Sequence, residues 1–249
     1  MKQIFILLFL WLPIQMMAQE NETRSLDKFT EVSSSASINV TLMSGDSPKV
    51  DVSTDGELED VLTEVSNGKL KISRKSNDQK FGVSFNNDKI EVTVYFQEIE
   101  KLKVSSSSKM EVNDPIQSKN LEIEVSSSGK LSLTAKVQSA DVSVSSSGKL
   151  DANIESENLT AKVSSSGKFD LTGDTNRLEA SVSSSGSIKG DEFNCSIANL
   201  STSSSGKIYL NIEDELSAKA SSSGKINYKG TPKLVAIKTS SGGKVNSIN

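Results

Sequence analysis

The 249-residue chain has a formal net charge of −4, one cysteine and no histidine. Acidic and basic residues are interspersed, which gives no indication of nucleic-acid binding. A single cysteine excludes an intramolecular disulfide, so we expect Cys195 to be a small core residue. Without histidine, the chain also lacks the side chain that enzymes use most often as a general base.

The first residues have the pattern of a Sec signal peptide. Lys2 supplies a positive charge, residues 4–12 are apolar, and the small residue Ala18 precedes a polar stretch. The apolar run is too short for a transmembrane helix, which needs about 20 residues. We therefore predict a signal peptide over 1–18, a short linker over 19–26, and an exported mature chain without a membrane span. Its location would be the periplasm, the outer cell surface or the medium.

Residues 27–100 form a less regular region. It contains fragments of the Ser-Ser-Ser-Gly-Lys motif that repeats regularly from residue 101 onward, but here the fragments have no fixed period. Worn copies of that motif lie at 32–40 and 65–72, a short helix or turn is predicted at 56–62, and an exposed excursion at 77–88. Strands are predicted at 49–52 and 89–96. We interpret the whole region as the first, wider coils and the N-terminal cap of the repeats that follow.

Residues 101–249 contain a regular repeat. Ser-Ser-Ser-Gly-Lys plus an apolar residue, or a degenerate copy of it, occurs eight times, and its glycine position recurs at nearly even intervals. A short fixed period indicates a stacked architecture in which each unit buries its apolar face against its neighbours. The glycine positions, with Ser108 replacing the first, are Ser108, Gly129, Gly148, Gly167, Gly186, Gly206, Gly224 and Gly243.

Within each unit, apolar and polar residues alternate with period two. In the unit around Gly129, Leu121, Ile123, Val125 and Leu131 alternate with charged or serine residues. This spacing predicts extended chain with one buried face, and helical spacing does not fit. The sequence therefore indicates an all-β protein.

One coil of about 19 residues fits one turn of a parallel β-helix, also called a β-solenoid. Equivalent residues would then lie directly above one another at about 4.8 Å, and eight coils would make a rod about 35–40 Å long. We predict this solenoid for residues 101–249, continuous with the N-terminal coils. An antiparallel β-prism is the alternative.

If the alternation of inward and outward side chains continues through the motif, it predicts which serines face inward. On this pattern Ser127 and Gly129 point inward and form a narrow edge, where glycine allows close approach to the opposite wall. Ser126, Ser128 and Lys130 then point outward. The glycines assigned to this edge are Gly129, Gly148, Gly167, Gly186, Gly206, Gly224 and Gly243.

Outward lysines would form a column along the rod, interrupted by Ser187. Its members are Lys109, Lys130, Lys149, Lys168, Lys207, Lys225 and Lys244. A phosphate-binding loop is rejected for this motif, because a Walker sequence needs a Ser or Thr after the lysine and an apolar residue follows here. The Ser/Lys strip is a candidate surface for a glycan, an anionic polymer or ice, although a merely soluble face is the simpler interpretation.

An enzyme is the remote alternative for a β-helix. Polysaccharide-active β-helices need clustered carboxylates or basic groups, often with calcium, whereas the acids here are scattered singly. We therefore expect no catalysis, no cofactor and no metal site. The expected role is that of an adhesin-like or cell-envelope interaction protein, and a purely structural envelope scaffold is the alternative. The partner is not readable from the sequence; a glycan or an envelope or matrix protein would fit, and an oligomer is compatible.

The N-terminal strands carry a family resemblance. Residues 29–32 leading to 38–42, then Gly45-Asp46 and 49–52, resemble the opening of the head GIN domain family, described as autotransporter adhesins and common in Bacteroidota. The segments 65–72, 89–96 and 102–108 fit the order of that family too. The resemblance covers residues 29–230 and implies a right-handed parallel β-helix in the envelope or the medium. It implies no binding residues.

Overall fold

A computed structural model describes residues 20–75 and 88–248 of the chain. The predicted signal peptide and all but one residue of the predicted excursion at 77–88 lie outside the described residues. Within the described ranges the chain forms eighteen β-strands and one short 3-10 helix at Leu58–Asp60. The strands are β1 (Glu20–Ser25), β2 (Glu31–Ser34), β3 (Asn39–Ser44), β4 (Lys49–Thr54), β5 (Val61–Ser66), β6 (Lys69–Arg74), β7 (Ile90–Phe96), β8 (Lys101–Val104), β9 (Lys109–Val112), β10 (Ile116–Val125), β11 (Lys130–Val144), β12 (Lys149–Val163), β13 (Lys168–Val182), β14 (Ser187–Thr202), β15 (Lys207–Ala220), β16 (Lys225–Lys229), β17 (Leu234–Thr239) and β18 (Lys244–Ser247).

Strands β10 to β15 stack in parallel, one coil above the next. Like residues pair with like residues: Leu131 with Leu150, and Leu150 with Phe169. Both neighbours of each coil therefore present the same pattern, and the apolar columns stay continuous. The predicted parallel β-solenoid, with one sequence repeat to each coil, is confirmed, and the antiparallel alternative is wrong.

Each long strand bends once between two serine motifs. In β11, Leu131, Leu133, Ala135 and Val137 are buried, and burial resumes at Ala140. Two consecutive residues thus face outward at the bend, where the pairing with the next coil skips Gln138. This bend is the second corner of the coil, about half a coil away from the serine motif.

Differences in coil length are absorbed within the strand. The interval from Gly186 to Gly206 is one residue longer than the interval before it, and β14 gains one residue on β13 between the pairs Asp170–Lys189 and Thr172–Glu192. A bulge of this kind adds residues to one strand without displacing the columns on either side. Ile188 and Leu200 therefore remain buried at the ends of the same strand.

The first coils are not stacked in chain order. Strands β2 and β3 lie between two other coils: β2 pairs with β6 and β8, and β3 pairs with β7 and β9, all in parallel. After β7 the chain must therefore pass to the other side of the β2–β3 coil to form β8 and β9. The stack order from the N-terminal end is β6–β7, β2–β3, β8–β9 and then the regular coils.

Antiparallel strands cover the N-terminal end of the stack. β5 pairs with β6, β4 pairs with β7, and β1 pairs with β4, each antiparallel. In these strands Val50, Val52 and Val61 are buried. Most of the segment that the sequence indicates as a linker thus forms strand β1. The segment 65–72, which the sequence indicates as a worn copy of the motif, forms a tight turn at Asn67 and Gly68, both with positive φ, but this turn joins the antiparallel strands β5 and β6 and does not lie at a corner between parallel coils.

The opposite end of the stack is open. β17 pairs only with β15, and β18 pairs only with β16, so each has one edge without a strand partner among residues 20–75 and 88–248. Every residue of β17 is exposed. Val235 and Ile237 nevertheless continue the columns of Leu216 and Ala218, which are buried one coil below.

Candidate functional site

The serine motif is a tight turn at the first corner of the coil, which we call the serine turn. In residues 126–129, the Gly129 N–H donates to the Ser126 carbonyl oxygen at 2.8 Å. Ser127 and Ser128 occupy the two central positions with φ of 48° and 62°. Left-handed φ at both central residues is the mark of a type I′ turn.

The predicted inward orientation of Ser127 is wrong. Ser127 and Ser128 are both exposed, whereas Gly129 is buried. Period-two alternation holds for extended chain only, and the left-handed pair turns both serines outward. The sequence did contain a signal for this corner, since a polar Ser/Gly cluster between two apolar stretches is typical of a turn.

Serine turns of successive coils are joined by hydrogen bonds. The Ser128 N–H donates to the Ser146 carbonyl oxygen at 3.0 Å, and the Ser147 N–H donates to that of Ser165 at 3.0 Å. The same bond recurs from the Ser37 N–H to Ser106 and as far as the Ser223 N–H to Ser241. The corner is therefore an ordered double row of hydroxyl groups that follows the rod through the regular coils.

The glycine of each serine turn is required by lack of space. A Cβ atom on Gly148 would lie 2.7 Å from the Val125 carbonyl oxygen and 2.9 Å from that of Ser145. The glycine thus approaches another part of the backbone closely, but the neighbour is the preceding coil and not the opposite wall. The same carbonyl of Val125 accepts the Ser145 N–H at 2.9 Å, so it cannot move away without loss of a hydrogen bond.

The first serine turn shows how the motif adapts beside an irregular coil. Ser108 stands in the glycine place and is fully buried. Its hydroxyl accepts the Ile38 N–H at 3.1 Å, and Ile38 stands in the equivalent place of the preceding coil, after Ala36 and Ser37 with positive φ. The serine side chain therefore satisfies a backbone N–H that a glycine in its place would leave without this partner.

The lysines that follow the serine turns lie in one column, here called the lysine column. Direct pairings join Lys109 to Lys130, Lys130 to Lys149, and Lys149 to Lys168. Ser187 pairs with Lys168 and Lys207, and two further lysine pairings follow, Lys207 with Lys225 and Lys225 with Lys244. All seven side chains are exposed. Its members are Lys109, Lys130, Lys149, Lys168, Lys207, Lys225 and Lys244.

Most of the lysine column is not neutralised by other side chains of the described ranges. Within this part of the chain, Lys109 forms the column's one ion pair, 3.5 Å from Glu111. Asp151 and Asp170 lie on the same outward face, yet among the described residues they form no ion pair with the column. The result is a row of exposed cations beside a row of exposed hydroxyl groups.

Other chemistry is sparse among residues 20–75 and 88–248. These residues hold no group of three or more His, Cys, Asp or Glu side chains that could bind a metal. Burial raises the pKa of the Cys195 thiol to about 12, which suppresses its reactivity as a nucleophile. Surface depressions in these ranges are open grooves of about 200–450 Å³, one of which lies at the start of the lysine column beside Asn39, Glu91 and Lys109.

Fold and surface together define a parallel β-solenoid with a repetitive polar face. The sequence matches the family described as "Putative auto-transporter adhesin, head GIN domain" over residues 28–153 and 134–232. These matches span more than half of the chain, so the chain belongs to this family, and the resemblance noted in the sequence is confirmed. Among curated proteins, none matches.

Solved structures of similar fold come from Bacteroidota. A "putative lipid binding protein" from Parabacteroides distasonis is 25% identical with a TM-score of 0.81, and the match covers 93% of this chain and 97% of that one. Two "putative adhesin" structures, from Parabacteroides merdae and P. distasonis, are 18% and 22% identical with TM-scores of 0.82 and 0.83. Each match covers 93% of this chain and 96% or 97% of the other. The two adhesin matches establish the shared fold alone.

The family description fits a surface or exported protein. No helix among the described residues has the length and apolar character needed to cross a membrane.

Proposed function

We propose that this protein is an exported, non-catalytic, adhesin-like module of the cell envelope that binds anionic glycan polymers along the serine turns and the lysine column. The observation that carries the proposal is the row of lysines without ion-pair partners among the described residues, from Lys130 onward. The description of the family as adhesins supports the same role.

A linear polyanion matches the electrostatics of the lysine column. Unit charges about 4.8 Å apart repel by about 0.9 kcal/mol in water, and by several-fold more where the local dielectric is lower. A bound chain of carboxylate or sulfate groups would remove this repulsion along several coils at once. Because the column is exposed and continues from coil to coil, we expect a linear and not a compact ligand.

The serines support a role beyond simple chain reversal. Type I′ turns favour Asn-Gly, and the β5–β6 hairpin of this chain uses Asn67-Gly68. Seven serine turns instead keep Ser at both left-handed positions, although non-glycine residues there cost roughly 1 kcal/mol each. Strain retained at every repeat indicates that the hydroxyl groups themselves are used, and in this proposal they donate to the ligand's oxygen atoms.

Charge reversal on the lysine column tests the proposal. Lys149→Glu/Lys168→Glu should abolish retention of the purified protein on an immobilised acidic polysaccharide, whereas Lys119→Glu/Arg177→Glu should bind like the wild type. The control makes the same change in net charge at the second corner, about half a coil away from the serine turns. Equal retention of both double variants would overturn the proposal.

Two further measurements test whether retention is electrostatic: its dependence on salt concentration, and retention on ligands without charge. Retention should fall between 0.15 M and 1 M salt, because the Debye length shortens from about 8 Å to about 3 Å. A neutral polysaccharide and neutral lipid vesicles are the comparison ligands, since one structural neighbour is described as a lipid binding protein. Absence of retention on every ligand, together with co-purification of an envelope protein, would support the structural scaffold instead.

The role of the hydroxyl groups is tested separately. Ser146→Asn/Ser147→Gly installs the preferred type I′ pair and keeps every backbone hydrogen bond of the turn, including the Ser147 N–H to Ser165. We expect unfolding stability to be unchanged or higher. Applied to several adjacent turns, the same exchange should weaken retention on the acidic polysaccharide. Unchanged retention would restrict the binding site to the lysines.

A further inference from the structure

The open end of the solenoid carries a concentrated apolar surface. All the large hydrophobic residues that are exposed in the described ranges lie in the last coil: Leu234 at 62%, Val235 at 47%, Ile237 at 46% and Ile248 at 42%. Val235 and Ile237 belong to columns whose members in the coils below are buried. Among the described residues no further strand covers these two side chains, which keep the inward orientation of their columns.

The same end also presents two free strand edges. β17 and β18 each have a strand partner on one side only within the described residues. Proteins ordinarily protect such edges with charges, prolines, bulges or a covering segment. β17 has one charged residue, Lys238, and no proline.

We propose that this end is the contact surface of a two-fold symmetric dimer, in which the free edges of β17 and β18 pair antiparallel with those of a second copy. A two-fold rotation places the two ends face to face. It also reverses the strand direction of one copy relative to the other, so the edges meet antiparallel. Each copy then supplies the hydrogen-bond partners and the apolar cover that the other lacks.

The residues of β17 are self-complementary in this arrangement. Pairing inward side chains with inward ones allows registers centred on Val235, Ala236 or Ile237, and the first of these would place Lys233 opposite Ile237. The two registers that avoid this place Val235 opposite Ile237, or Ile237 opposite itself. In these two registers Lys238 lies opposite Leu234 or Ala236, so the lysines of the two copies are not directly paired. Apolar side chains meet across the contact and the charges stay apart.

The covered N-terminal end explains why the assembly stops at two copies. There β1 and β5 also have a strand partner on one side only within the described residues, but β1 carries three charged residues, and the valines of β4 and Val61 of β5 are buried. A head-to-tail contact would leave one free end to add further copies and would grow into a filament. In an end-to-end contact, each copy covers the open end of the other. No open end remains for a third copy, so the assembly is a closed dimer.

The mass of the full chain, purified from the compartment to which it is exported, tests the dimer. Sedimentation equilibrium should give twice the monomer mass at high concentration, and Val235→Lys and Ile237→Lys should each give the monomer with an unchanged circular dichroism spectrum. Thr160→Lys, which adds the same charge to the outward face of β12, should remain dimeric. A wild-type monomer at every concentration, or a series of higher oligomers, would overturn the proposal.

Cross-linking tests the contact directly and does not depend on destabilising it. Ala236→Cys cross-links two copies in the register centred on Ala236, and Ala236→Cys/Lys238→Cys does so in the register centred on Ile237. Cys195 is buried, so the introduced thiols are the accessible ones. Mild oxidation should convert both variants to a covalent dimer in the register centred on Ala236, and the double variant alone in the register centred on Ile237. Failure of both would exclude the proposed pairing even if a dimer of another kind exists.

Discussion

The glycine of each serine turn is fixed by the distance to the coil below it. A methyl group on Gly148 would lie 2.7 Å from a backbone oxygen that already accepts a hydrogen bond. Contacts this short with backbone cannot be relieved by rotation of a side chain. We therefore expect Gly148→Ala to lower the free energy of unfolding by about 1–3 kcal/mol. The exposed neighbour provides the control, since Ser147→Ala adds no atom, and urea denaturation of both variants checks the prediction. Equal stability of the two variants would contradict it.

Two buried hydroxyl groups, those of Ser34 and Thr202, interrupt the column of valines that precedes the serine turns. Thr202 is paired with Val182 on one side and Ala220 on the other, and its hydroxyl has no hydrogen-bond partner among the described residues. Thr202→Val keeps the shape and removes the unsatisfied group, so it should stabilise the protein by about 1 kcal/mol. The reciprocal change, Val182→Thr, introduces the same defect one coil earlier and should destabilise it by about 1–3 kcal/mol. In thermal unfolding, the midpoint temperature should be higher than that of the wild type for Thr202→Val and lower for Val182→Thr.

At the scale of the strand, a small charge network stabilises the junction between the irregular and regular coils. Lys101 lies 2.7 Å from Glu122 and 2.8 Å from Glu124, and Lys103 lies 2.7 Å from Glu124. Hydrogen bonds from Lys101 and then Lys103 lower the pKa of Glu124 from 4.5 to about 2. The same contacts raise the pKa of Lys101, with Glu122 contributing most.

The lowered pKa of Glu124 predicts a pH dependence of stability. Because the carboxyl binds its proton more weakly in the folded state, its contribution is complete above pH 4.5 and is lost as the pH falls toward 2. Solvent screening limits this contribution to about 1 kcal/mol. Glu124→Gln should flatten the stability profile between pH 4.5 and 2, whereas Glu179→Gln, on the same wall but without an ion pair among the described residues, should leave it unchanged. Parallel profiles for wild type and Glu124→Gln would contradict the prediction.

Strand periodicity explains which parts of the fold the sequence could predict. Alternation and the regular spacing of the motif determine the columns, and the pairings of Leu131 and Lys130 follow from them. The conformation of residues 126–128 could not be derived in this way. The residues on either side of the serines face inward in both cases, whether the serines are extended or form a turn; these residues are Val125, Gly129 and Leu131. The alternation of inward and outward residues therefore does not distinguish an extended segment from a turn. The left-handed positions also lack the Asn or Gly that would indicate a type I′ turn.

The order of the first coils was equally inaccessible. The sequence predicts that residues 27–100 form coils, but their copies of the motif are too worn to define a period. Whether β2 pairs with β6 or with β8 depends on how well whole faces pack, and both pairings occur. The lysines could be placed in an exposed column because each follows a turn by one residue. Their lack of ion-pair partners within the described ranges depends on side-chain distances that a one-dimensional pattern does not contain.

For the whole molecule, the two ends of the stack should differ in how they open. The last coil is held by one neighbour and exposes its apolar residues, so its amide protons should exchange fastest, followed by those of β15 and β14 in turn. Native-state hydrogen exchange should show this graded protection. Uniform protection from β11 to β17 in a monomeric variant such as Ile237→Lys would contradict it.

The threading of β2 and β3 between later strands gives the other end a different behaviour. A coil enclosed by segments that follow it along the chain cannot peel away alone, because β6–β7 and β8–β9 hold it on opposite sides. Newly made chain could likewise not complete this arrangement until residues up to Val112 had emerged, so the N-terminal block would assemble late and in one step. In the export proposed for this protein, such a delay would keep the leading segment unfolded during transport. Once complete, the arrangement would come apart only by cooperative unfolding.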